Sequence, residues 1–237
     1  RSHTTMPIGP ARMPIMDHLG ELRRRLTIIV VSLLTVAVIV YFATPTLIDL
    51  MIDQIKEAMR GGDLYVLTAL GGFTIRFKVA MFFSMIICTP IIIWEIMAFI
   101  LPALKPKERK WVVPTLLTAT ALFFVGAVFC YLFIVPAAFE WLVSETTSIA
   151  TVLPNLEDYI NIEILLMIGF GVAFELPLFV FYLAVFHIVP YAAFRSAWRY
   201  IYVGMLVVSA SITPDASPVT LLFMYAAMLT LYEASLA

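Results

Sequence analysis

The chain has 237 residues, 62% of them hydrophobic and 13% charged, with a formal net charge of −1 and a mean hydropathy of +1.00. That composition lies far outside the range of soluble domains and reads as an integral membrane protein. A near-neutral charge balance offers no basic surface for nucleic acid.

Uncharged runs long enough to approach the roughly 30 Å hydrocarbon core recur over 26–43, 79–94, 111–139, 164–186 (broken only by Glu175), 200–214 and 216–232. They predict six transmembrane helices, over about 22–43, 73–101, 111–138, 160–186, 199–213 and 217–235. Solid apolar blocks argue for helices over a closed barrel, whose strands alternate over about ten residues. The fold class is all-α integral membrane. Residues 1–12 are set apart as an added or disordered extension, and 13–237 form a single transmembrane domain.

Arg1, Arg12, Arg23, Arg24 and Arg25 precede the first span, Lys105, Lys107, Arg109 and Lys110 follow the second, and Arg195 and Arg199 follow the fourth. The intervening segments are acidic: 45–72 has only Lys56 and Arg60 against four acids, and 140–163 has five acids and no base. The positive-inside rule then puts both termini in the cytoplasm.

In chain order, Asp17 is the predicted N-cap of the first helix. Behind it His18, Glu21, Leu22 and Arg25 share one face at helical spacing. Two readings stand for Glu21: an i to i+4 pair with Arg25, contributing only about 0.3–0.5 kcal/mol, or an acid held for a ligand. Segment 45–60 sets Leu47, Ile48, Met51, Ile52, Ile55 and Met59 against Asp49, Asp53 and Glu57, an amphipathic helix capping the external side. Arg76 and Lys78 are expected to snorkel to the interface.

Pro90 in the second span and Pro177 in the fourth each remove a helix hydrogen bond and predict kinks. Cys88 and Cys130 lack metal-ligand spacing and read as small buried hydrophobes. The loop after the second span places a single acid, Glu108, among basic residues, beside Phe99 at the span end. Glu21 and Glu108 thus face one compartment, each in a basic setting that keeps it ionised.

Glu175 lies near the bilayer midplane, where a carboxylate costs at least about 2.5–3.5 kcal/mol unless protonated or paired. It is expected to face a polar cavity or concave groove, the alternative being a protonated acid bonded to a neighbouring helix. The last two spans are short. Residues 200–214 reach about 22 Å at 1.5 Å per residue, so the bilayer thins beside them or they stay recessed. Between them Thr213-Pro214-Asp215-Ala216-Ser217-Pro218 suits a sharp reversal.

Four stretches together resemble TatC, the multispanning core subunit of the twin-arginine protein translocase. They are His18-Leu19-x-Glu21-Leu22-Arg23-x-Arg25-Leu26; Pro90 followed by Ala98-Phe99-Ile100-x-Pro102-Ala103-Leu104 and Glu108-Arg109; Gly169-x-Gly171-Val172-x-Phe174-Glu175-Leu176-Pro177; and Thr213-Pro214-Asp215 before Leu231-Tyr232-Glu233. The resemblance implies a cytoplasmic-face receptor for signal peptides with consecutive arginines. With TatA and TatB type single-span subunits it would pass folded proteins across a prokaryotic cytoplasmic membrane, rather than a thylakoid, using the proton-motive force. Self-association is implied too, and no cofactor or metal.

By the same resemblance Glu21 and Glu108 bind the two arginines, and Arg23, Pro90, Pro102 and Phe99 are motif positions on that side. Glu175 is the acid of the concave groove and Asp215 the acid of the last external turn. Two departures stand out: Leu70-Gly71-Gly72-Phe73 occupies a place where relatives often have an acid and a proline, and Val219 replaces an amide. A partner helix near Glu175 would then rely on Thr220 or other groups.

The alternative is a proton-coupled small-solute transporter using Glu175, which lacks the internal repeat and paired broken helices of such folds. An intramembrane hydrolase has less to work with, since His3, His18 and His187 lie outside the apolar cores.

Overall fold

In a lipid interior each backbone N–H and C=O must find its partner within the chain, and a helix does this without outside help. The computed structural model describes residues 8–58, 62–100, 112–185, 190–212 and 218–236. Among them the regular structure is helical apart from one isolated bridge between Tyr65 and Asn155.

The elements are α1 (Ile8–Tyr41), α2 (Thr44–Ala58), α3 (Gly71–Ile87), α4 (Thr89–Ile100), α5 (Val112–Phe129), a π-helical turn (Cys130–Ile134), α6 (Val135–Thr147), α7 (Leu156–Ala173), α8 (Leu176–Val185), α9 (Tyr191–Ser196), α10 (Trp198–Ile212) and α11 (Pro218–Leu236). Among the described residues Met16–Tyr41, Val113–Thr147 and Leu156–Phe181 qualify by length and apolar character to cross a membrane, and α3 with α4, bent by 58°, makes a fourth if the pair is one span. Helix α10 has 15 residues, as short as expected. Helix α11 has 19, the length of the predicted last span.

The proline sites explain the breaks. Pro90 is the second residue of α4, where its missing N–H falls among the donors that a helix start leaves unpaired in any case. The carbonyl of Ile86, which that N–H would have met in a continuous helix, is where the direction changes. Pro177 sits in the same way at the second position of α8, after a turn at Phe174 and Glu175. Pro136 removes the bond to the Leu132 carbonyl inside the long α5–α6 rod, and the π-helical turn just before it absorbs the loss without a break.

Helix α1 packs along α3 and α4, α5 along α7 and α4, α8 against α11, and α2 across α6 and α3. The lipid-facing side of α1 is apolar, with Val30, Val31, Leu34, Val38 and Ile39 exposed, as expected where lipid replaces water. Ser84, fully buried, donates to the Leu33 carbonyl at 2.6 Å and ties α3 to α1. Helix α2 is the amphipathic element read from 45–60: Met51, Ile52 and Ile55 enter the core while Asp49, Asp53 and Glu57 stay exposed.

Four expectations change. Asp17 lies inside α1, which begins at Ile8 within the segment set apart as an extension, so it caps nothing. Arg76 does not snorkel; its guanidinium donates to Thr44 Oγ1 (2.8 Å) and the Tyr41 carbonyl (3.1 Å) and lies 4.3 Å from the Tyr41 ring centroid, pinning the corner between α1 and α2. Lys78 pairs with Glu157 at 3.1 Å, in the first turn of α7, whose N-cap is Asn155. Glu163, counted above with the loop acids, is fully buried in α7, and neither carboxyl oxygen has a hydrogen-bond partner among the described residues. Cys88 and Cys130 are buried, as read.

The α5–α7 contact depends on absent side chains. A Cβ on Gly126 would lie 2.6 Å from the Phe170 carbonyl oxygen, and one on Gly171 would lie 2.8 Å from the Phe123 ring. Gly126→Ala is therefore expected to lower stability by about 1–3 kcal/mol, because backbone cannot step aside as a side chain can. Thermal unfolding in detergent checks this, and an unchanged midpoint contradicts the packing. Glu163→Met removes a buried polar group that lacks partners and is expected to keep or raise that midpoint. A fall of more than about 2 kcal/mol would mean that the carboxyl makes a bond the structure lacks.

Candidate functional site

The seam between the N-terminal half of α1 and the end of α4 gathers charged and aromatic groups on an otherwise apolar molecule. On α1, His18, Glu21 and Arg25 follow at i, i+3 and i+7, and so stack along one face. On α4, Glu95 and Phe99 are four residues apart and share a face in the same way. The helices run antiparallel here, so the pairs form in reverse order. His18 stacks on Phe99 with ring centroids 4.1 Å apart and planes 25° from parallel, and Arg25 reaches Glu95 one turn deeper.

Arg25 is the hinge of the arrangement. Its Nη1 donates to Glu95 Oε2 at 2.7 Å, while Nε and Nη2 both donate to a single oxygen of Glu21, Oε1, at 3.2 and 3.1 Å. Side-chain exposure falls from 30% for Glu21 through 25% for Arg25 to 9% for Glu95. The short bond goes to the buried acid and the long ones to the open acid. A half-exposed pair such as Arg25–Glu21 contributes at most about 1 kcal/mol, whereas a buried carboxylate deprived of its partner costs about 3–5 kcal/mol. The guanidinium therefore belongs to Glu95 first and to Glu21 second. Glu21 keeps Oε2 free of any partner among the described residues.

The remaining sequence-predicted positions divide clearly. Phe99 joins the seam through His18, while Arg23 is exposed beside it with no ion pair among the described residues. Pro90 marks the bend below the seam. Glu175 sits in the turn between α7 and α8, half-buried, with Oε1 buried and without a hydrogen-bond partner among the described residues. Glu108, Pro102 and Asp215 lie outside the described residues, as do the side chains of Thr220 and Pro177.

Glu95 was missed by sequence reasoning, although a signal existed: an acid four residues before Phe99, in a run with no other charge, must find a cation on a facing helix. Among the described residues no group of His, Cys, Asp and Glu side chains is disposed to hold a metal ion. What the seam offers is carboxylate oxygen beside a stacked ring pair, a combination suited to a planar guanidinium.

Where α9 meets the end of α11, Arg195 pairs with Glu233 at 2.6 Å, but both groups are open to solvent. On the α2 side an open recess of about 1370 Å³ is lined by Glu57, Asp63, Glu140 and neutral residues. The first also gathers aromatic rings, with Tyr202 donating to Glu233 and packed edge-on against Tyr232 and Trp198, but its carboxylate is already met by Arg195 and Tyr202, and the recess presents acids without a stacked ring pair.

Comparison with known proteins gives the family. The family model described as "Sec-independent protein translocase protein (TatC)" matches residues 17–226. The Sec-independent protein translocase protein TatC of Deinococcus radiodurans is 33% identical over 231 residues, covering 94% of this chain and 84% of that one. The chloroplastic TATC of Pisum sativum is 32% identical over 93% of this chain and 62% of its own length. A crystal structure of a "Twin Arginine Translocase Receptor- TatC" in DDM superposes with a TM-score of 0.80 at 29% identity, covering 92% of this chain and 97% of that chain. The protein is accordingly a multi-pass membrane component of a protein translocase and not an enzyme. With its helical fold and its relatives in agreement, the chain belongs to the TatC family of Sec-independent protein translocases.

Proposed function

We propose that the protein binds signal peptides bearing two consecutive arginines at its α1–α4 seam and, with TatA and TatB type single-span subunits, passes folded proteins across a prokaryotic cytoplasmic membrane using the proton-motive force. The observation that carries this reading is a guanidinium already held by Glu21 Oε1, with the His18–Phe99 stack alongside. The seam's chemistry is thus demonstrably compatible with arginine. The solved relative is described as a twin-arginine translocase receptor, which supports carrying that role to this chain.

In this reading the chain crosses the membrane six times with both termini in the cytoplasm, residues 13–237 forming one domain. Glu108 supplies the second carboxylate for the second arginine. Arg23 contributes to the positive field that holds this end cytoplasmic. Glu175, with a buried oxygen that has no partner among the described residues, acts with Thr220 as the place where a partner helix docks within the bilayer, and Asp215 serves as the motif acid between the last two spans. The short α10 favours local thinning of the bilayer where cargo passes.

A planar guanidinium meets a carboxylate through two parallel bonds, and an ammonium cannot. A peptide with paired arginines is therefore expected to bind the detergent-solubilised protein at least about tenfold more tightly than its paired-lysine version, one charge-assisted hydrogen bond being worth about 1.5–3 kcal/mol. Glu21→Ala and Glu108→Ala should each remove most of that preference. Equal affinity for the two peptides, or full binding by Glu21→Ala, overturns the proposal.

A further inference from the structure

The guanidinium on Glu21 belongs to the protein itself. A site meant for an external arginine is occupied by an internal one, and the geometry says how that occupant can leave. Arg25 divides its donors unequally: the 2.7 Å bond goes to Glu95, and two bonds longer than 3 Å converge on one oxygen of Glu21. Glu95 is buried, so its hold on Arg25 is weakly screened; Glu21 is open to solvent, and its hold is weakly binding.

The structure assigns to Arg25 and Glu95 a role in setting this site. We propose that Arg25 is a displaceable stand-in for the peptide's guanidinium on Glu21, and that Glu95 is the anchor which keeps Arg25 when the peptide takes its place. The inference rests on the reading of Glu21 as an arginine receptor. In the unoccupied protein the stand-in keeps Glu21 paired and oriented. When a peptide arginine arrives, it takes the free Oε2 first and then Oε1, and Arg25 withdraws to Glu95 without leaving a buried charge unpaired. Glu95 is in this sense a positioning residue, since it acts on the ligand only through Arg25.

Neighbouring groups fit this division of labour. His18 and Phe99 stack directly over the solvent side of the seam, so a peptide side chain enters beside an apolar plate on which a guanidinium can lie. Arg24 and Arg23 are exposed and pair with neither acid, which leaves Arg25 as the internal competitor among the described residues.

The test uses the full-length protein in detergent and a peptide with paired arginines, against the paired-lysine control. Arg25→Lys keeps Glu95 paired but gives up the planar fork that spans both acids, so it should free Glu21 and tighten arginine-peptide binding about two- to fivefold, the worth of one exposed guanidinium–carboxylate pair. The double variant Arg25→Met with Glu95→Gln removes the competitor and its anchor at unchanged net charge, and should tighten binding by a similar factor. Glu95→Gln alone should act in the opposite direction, because Arg25 then falls back on Glu21.

A purely structural ion pair would make all three variants bind more weakly, and that pattern overturns the proposal. Unchanged affinity in both Arg25→Lys and the double variant overturns it as well. If Glu95→Gln does not fold, the two variants that leave no unpaired buried charge decide the matter by themselves. Glu21→Ala separates the levels: no loss there refutes the receptor reading itself, whereas a loss there without tightening in Arg25→Lys refutes the stand-in alone.

Discussion

Glu95 is a carboxylate on a helix of apolar residues, nearly closed to solvent, and Arg25 is the cation that satisfies it at 2.7 Å. Much at this end of the molecule follows from that one bond. Because the partner sits on α1 and not on α4 itself, the bond fixes the rotation and the height of α1 against α4. That register puts His18 over Phe99, one turn nearer the solvent, and turns Glu21 toward the seam rather than toward lipid. An apolar contact would tolerate sliding; a buried ion pair does not, since losing it strands a charge. The α1–α4 pair therefore trades adaptability for a defined surface at the membrane boundary, which is what recognition of a short charged motif requires.

The rest of the bundle keeps that seam in place by other means. Proline breaks at Pro90 and Pro177 fall where a new helix starts, so the chain changes direction without leaving more backbone groups unpaired than any helix end does. Gly126 and Gly171 let α5 and α7 approach to backbone contact, and with no hydrophobic drive between helices in lipid, such close packing is the main cohesive term. Arg76, Lys78 and Ser84 add polar fastenings between α1, α2, α3 and α7. Glu163 runs against this economy, a buried carboxyl without a hydrogen-bond partner among the described residues, and its cost is borne by the surrounding core.

What was legible in the sequence follows from which signals are strong. Long apolar runs gave the helical class, the pattern of Leu47, Met51, Ile52 and Ile55 gave α2, and the shared face of His18, Glu21 and Arg25 gave half of the seam. The other half was hidden because facing helices are not neighbours in sequence: nothing near Glu95 hints at Arg25, 70 residues away. Glu163 was misplaced for a related reason, since acids were taken to mark the ends of spans, while tertiary burial overrode that rule. Asp17 failed as a cap because the helix simply continues upstream of it to Ile8. The pairing of Glu21 with Arg25 and a receptor role for Glu21 looked like rival readings, yet the geometry makes them compatible: the open end of a shared guanidinium is the part that can be exchanged.

The central claim is that the α1–α4 seam holds an exchangeable guanidinium. The most direct measurement is an experimental structure of the full-length protein with a bound peptide bearing paired arginines. The account predicts a peptide guanidinium within hydrogen-bond distance of Glu21, beside the His18–Phe99 stack, with Arg25 retained on Glu95 alone. Peptide density away from this seam, or Arg25 still bonded to Glu21 beneath a bound peptide, would contradict it.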